Sequence, residues 1–187
     1  MKRSNRTKQD LASSLKLLMR TSCLSDISVQ DIVDSSGISR HTFYYHFIDK
    51  QDLVQWVFRS EVVEPMEKET EHYFEKLIGV MERMQKEPAF YARALEVNGQ
   101  NSFSEYFFDT LLHMAESSLR EFAQSHSRDL PEERCAFAAR FVTYAVVGII
   151  KEWVKTGMKE EPQQVMGMLL GLSEGLAELV FEQPQED

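Results

Sequence analysis

The chain has 187 residues and is 43% hydrophobic, enough for a small head and a larger body with a buried core. Its longest apolar run, about residues 141–150, falls far short of the roughly 20 residues a membrane helix needs. The net charge of −9 excludes a chain that is basic throughout, so any nucleic-acid binding must be local.

Residues 1–50 carry eight basic and five acidic side chains, or +3, and the remainder carries −12. A basic head can approach phosphate while an acidic body is repelled by it. Only 8 glycines and 5 prolines, with long Glu/Lys/Leu/Met stretches, indicate an all-α fold. Cys23 and Cys135 show no metal spacing, and without a secretory signal they read as reduced thiols in a cytoplasmic protein.

In chain order, residues 1–6 read as a loose basic arm. Thr7 caps a first helix marked by Leu11, Leu15, Leu18 and Met19. A loop over 21–27 leads to Ser28, the cap of a short second helix with Val29, Ile32 and Val33 inside. Gly37 stops it by supplying a positive φ. Ser39 caps a third helix to about Phe47, and Asp49 caps a fourth with Leu53, Val54, Trp56 and Val57. Longer amphipathic helices follow at about 65–85, 88–97, 102–125, 131–155 and 162–181, four of them with a proline near the start. The expected division is a helix-turn-helix head at 1–50 and a helical regulatory and dimerisation body at 51–187.

Short helices joined by a glycine turn make a helix-turn-helix. On the third helix Phe43 and Phe47, four apart, turn inward. Ser39, Arg40, His41, Thr42, Tyr44, Tyr45 and His46 share the outside and flanks. Arg can grip guanine O6 and N7, Thr can touch a thymine methyl group, and Tyr can reach phosphate. Tyr44 and Tyr45 could alternatively only roof the small core, or do both. Lys50, at a helix N-terminus, is a candidate phosphate anchor.

The stretch ISRHTFYYHFIDKQDL resembles the recognition-helix signature of the TetR family of bacterial transcriptional regulators. The resemblance covers about residues 7–57. It implies that Ser28, Val29 and Gln30 also lie near the DNA backbone. It further implies a homodimer on a palindromic operator, a body that senses a small molecule, and repression as the default. Two departures stand out: His41 where glycine is frequent, and Ser36 where alanine is usual. With EWVKTGMKEEP late in the chain, the sequence is similar to the branch regulating dihydroxyacetone kinase operons, some of whose members act with a protein coactivator. That branch leaves activation open.

In the body, Gly167, Gly171 and Gly175 form a stripe four residues apart, and each costs roughly 1 kcal/mol against alanine inside a helix. Such a stripe allows close approach of another helix, within one subunit or across a dimer interface, with Gly148 a candidate partner. Arg140 and Thr143 stand in an apolar row, so Arg140 needs a carboxylate from its own chain, a second subunit or a ligand. With Tyr144 and Phe107 they are the candidate ligand residues; aromatics at this spacing are otherwise plain core. His72 and His113 stand alone, so no metal site is expected, and no cofactor. No glycine-rich phosphate loop or paired nucleophile and base is present, so no enzyme is expected. An adaptor controlled by a partner protein is the alternative to small-molecule control.

Overall fold

A computed structural model describes residues 2–66, 72–97, 99 and 101–181, with side chains described from residue 4 to 171 within those ranges. Every regular element among the described residues is helical. Helix α1 spans Lys2–Leu18, α2 Val29–Ser36, α3 Arg40–His46 and α4 Lys50–Phe58. A π-helical turn, Arg59–Val63, leads into the short α5, Glu64–Met66. Then follow α6 (Tyr73–Met84), α7 (Pro88–Glu96), α8 (Phe103–Ser125), α9 (Glu132–Lys155) and α10 (Pro162–Phe181). The chain divides into two compact units, 1–65 with 83–106, and 66–82 with 107–187. The boundary expected after residue 50 therefore falls inside α4.

In the first unit α1 packs on α2 and α4. Leu11, Leu15, Met19, Ile32, Phe43, Leu53, Val54 and Val57 are all fully buried. Each such side chain is worth roughly 1.5–3 kcal/mol of burial before entropy is counted. The expected start of α1 at Thr7 is too late, because the helix begins at Lys2. Residues 4–6 are exposed, and a turn without an apolar face leaves no periodic signal. The Arg93 guanidinium on α7 donates to the Met19 carbonyl and to that of Ser22 at 2.8 Å, capping the end of α1 with a cation. Phe58 packs edge-on to Tyr91, Phe103 and Tyr106; Tyr91 and Phe103 are core, and Tyr106 is half-buried.

In the second unit α9 buries Cys135, Ala139, Thr143, Val146, Ile150 and Trp153. Gly157, at φ +91°, ends α9 as expected. The Trp153 indole N–H donates to the Glu160 carbonyl at 2.8 Å across the turn into α10. Pro88 and Pro162 each begin their helices and Pro131 caps α9.

Candidate nucleic-acid interface

The head's geometry is built from caps. Ser28 and Asp31 form a capping box: the Asp31 N–H donates to Ser28 Oγ at 3.2 Å, and the Ser28 N–H donates to Asp31 Oδ2 at 2.7 Å. The Ser28 hydroxyl also donates to that carboxylate, and these bonds hold the Asp31 carboxyl below its ordinary pKa. Gly37, at φ +69°, turns the chain out of α2. The Ser36 hydroxyl donates to the Val33 carbonyl at 3.2 Å and accepts from the Ile38 N–H at 3.3 Å. The departure at Ser36 thus stitches the turn. Ser39 caps α3 by accepting from the Thr42 N–H, and the two hydroxyls lie 2.8 Å apart. Asp49 caps α4 by accepting from the Gln51 and Asp52 N–H groups.

Between these caps α3 is pinned from below. Phe43 and Phe47 are buried, and Phe47 meets Trp56 edge-on with ring centres 5.9 Å apart. The upper face is open: Arg40 and His41 are exposed, Tyr44 is half-exposed and Tyr45 is 79% exposed. The Arg40 guanidinium lies over the Tyr44 ring, 5.7 Å from its centre, and donates a long bond of 3.4 Å to its hydroxyl. His46 sits lower, its ring against Tyr45 and Phe47. Burial, helped by the nearby Lys8, pushes its pKa below the ordinary imidazole value.

The other expected DNA residues divide. Val29 is half-buried, and Gln30 is exposed with its amide donating to Asp34 at 2.7 Å. Lys50 is placed otherwise than expected. Its ammonium points inward and donates to the carbonyls of Leu24 at 2.6 Å, Ser25 at 3.1 Å and Ile27 at 2.6 Å. Burial lowers its pKa, opposed by Asp26, Asp49 and Asp31. Two residues at this surface were missed from sequence. Ile48 is 82% exposed in the turn after α3, an apolar side chain at a site where periodicity assigns no face. Lys8, on α1, lies 5.5 Å from the Phe47 ring centre and 5.7 Å from that of Trp56.

In the body the candidate ligand residues do not come together. Phe107 and Thr143 are fully buried, and Thr143 donates to the Ala139 carbonyl at 2.7 Å. Arg140 and Tyr144, also on α9, are exposed. Exposed in the single subunit, Arg140 requires no carboxylate from its own core. A cleft of about 250 Å³ lies elsewhere, in the first unit. Lys16, Glu61, Arg83, Lys86 and Glu87 border it with Tyr91. Lys16 already pairs there with Glu61 at 2.5 Å and Glu87 at 3.5 Å. No cluster of His, Cys, Asp and Glu that could hold a metal occurs among the described residues. No described helix is long and apolar enough to cross a membrane.

The glycines are open. A Cβ at Gly148, Gly167 or Gly171 would meet no atom of the described residues within 4 Å. The side chains around Gly175 lie outside the described residues. Around Gly148 the same face of α9 exposes Phe137 (74%), Phe141 and Tyr144, and α10 exposes Met168 and Leu170.

Comparison with known proteins agrees with this geometry. Residues 24–57 match the model for bacterial regulatory proteins of the tetR family. Residues 71–175 match a model described as a transcriptional regulator C-terminal region. The HTH-type dhaKLM operon transcriptional activator DhaS of Lactococcus lactis subsp. lactis (strain IL1403) is 25% identical over 177 residues, 91% of this chain and 92% of that protein. A solved structure of the dihydroxyacetone kinase operon activator DhaS is 21% identical with a TM-score of 0.66, covering 95% of this chain and 98% of that one. NalD of Pseudomonas aeruginosa, the secondary repressor of the MexAB-OprM multidrug efflux pump, is 16% identical with a TM-score of 0.62, covering 94% and 97%. With both family models matched in order, the second over more than half the chain, this protein belongs to the TetR family of bacterial transcription regulators.

Proposed function

We propose that the chain is a cytoplasmic, homodimeric DNA-binding regulator that lays α3 in the major groove of a palindromic operator. The observation that carries this reading is the two-sided α3: Phe43 and Phe47 buried beneath an open face of Arg40, His41, Tyr44 and Tyr45. A face of donors and acceptors over an aromatic footing meets base edges and phosphates without deforming the head. Homodimerisation is supported by the exposed apolar residues Phe137, Phe141 and Met168 on α9 and α10. Apolar side chains this exposed, beside glycines with open space above them, suit a second copy of the same surface.

In the first reading, control comes through the helical body from a small molecule that binds one head spacing better than another. A second reading, control by a partner protein, is favoured by one observation: Phe107 and Thr143 are fully buried while Arg140 and Tyr144 are exposed. Similarity to the activator DhaS supports activation over the repression that is the family default.

The test is selection of duplexes from a random-sequence library by the purified protein, followed by fluorescence anisotropy on the winner and a scrambled duplex. Enrichment of an inverted repeat with selective binding is expected. No enrichment would sink the DNA-binding reading and favour an adaptor role.

A further inference from the structure

We infer that Lys50 is a positioning residue for operator recognition: its ammonium gathers three carbonyls and fixes the entry to α2, and so the seating of α3, without touching a phosphate. The inference deepens the DNA-binding reading and rests on it.

An ammonium has three N–H donors, and here all three are taken, by Leu24, Ser25 and Ile27. Those carbonyls belong to the turn that delivers the chain to the Ser28 cap. Rotating Lys50 outward to meet a phosphate would strip that turn of its donors, two of them in part-buried bonds. The position also argues against a choice made for α4. A cation in the first turn of a helix opposes the helix dipole, and Asp49 already caps that end. The charges of Asp26, Asp49 and Asp31 act favourably on the ammonium and oppose part of the cost of its burial. Lys50 therefore joins the start of α4 to the start of α2, the two elements that bracket α3 in sequence.

The experiment compares wild type, Lys50→Met and Lys50→Arg, each as full chain. Amide hydrogen exchange on the DNA-free proteins reads residues 24–31. Anisotropy then reads binding to the selected duplex and to a scrambled one at several salt concentrations. A lost phosphate contact lowers the slope of log affinity against log salt by about 0.9 per protomer and weakens both duplexes alike. A lost clamp keeps the slope, raises exchange at 24–31, and weakens the selected duplex roughly tenfold more than the scrambled one, since only specific contacts need the seating of α3. Arginine, a planar fork, does not restore three converging bonds, so Lys50→Arg is expected to behave like Lys50→Met. Melting of the DNA-free Lys50→Met head would also support the clamp, because a phosphate anchor contributes nothing without DNA. Unchanged exchange at 24–31, a slope lowered by about 0.9, or full rescue by Lys50→Arg overturns the inference. Absence of selective binding in the wild type itself would instead refute the DNA-binding reading, with the exchange result still deciding the clamp.

Discussion

Arg40 and Tyr45 meet solvent in different states. Arg40 is already laid along Tyr44, which limits the rotamers it must give up on binding a base. Tyr45, 79% exposed, meets the His46 ring edge-on and leaves its hydroxyl end open to solvent. Arg40→Ala is expected to cost about 1–3 kcal/mol of operator binding, with Tyr45→Ala also weakening it, while circular dichroism stays unchanged. Unchanged affinity in both variants would refute α3 as the reading helix. Asp31 is expected to report through pH. Its folded pKa lies below the ordinary 3.8, so its contribution to stability is present above that value and fades as pH falls through the folded pKa. Asp31→Ala should therefore melt below wild type at neutral pH, with the difference shrinking below pH ~3.8. A difference that stays constant into acid would dismiss the capping box as its source. At this scale the sequence was legible wherever one element decides the outcome. Phe43 and Phe47 at i and i+4 read as core, and Ser28, Ser39 and Asp49 read as caps. Lys50 was not legible, because its carbonyl partners lie 23–26 residues away and are brought there by packing.

Among the elements, α9 and α10 carry the clearest prediction. Gly171→Leu would place a large side chain on the open stripe and is expected to shift a dimer toward monomer in analytical ultracentrifugation, with helix content unchanged. An unaltered sedimentation coefficient would remove the stripe from the interface. A companion change, Phe137→Glu, puts charge on the apolar face of α9 and should act the same way. Helix extents were legible here because proline marks three starts and Gly157 one end. The phase of α9 was not. The row holding Arg140 and Thr143 reads as one face, but Thr143 is buried and Arg140, about 60° around the helix from it, is exposed. Which side of an all-round apolar helix faces inward is set by its neighbours, and the chain's own pattern is silent on that.

Over the whole molecule, charge is divided: +3 over residues 1–50 against −12 over the rest. Affinity for any duplex should therefore fall linearly with the logarithm of salt concentration, with a slope set by the phosphates the head meets. Binding insensitive to salt would point away from DNA as the partner. The assignment of 83–106 to the first unit was not legible, since Arg93 reaching the end of α1 spans more than 70 residues. The wide turn at Arg59–Val63 has a consequence at the same scale. There the Glu64 N–H donates to the Arg59 carbonyl, five residues back. Buried Val57 and Phe58 consequently repeat at buried Val62 and Val63, five residues on. An unbroken α-helix repeats near every fourth residue and would bring Glu61 inward beneath Val57. The turn acts as a phase shifter: one extra residue rotates a carboxylate out of the oil and into reach of Lys16.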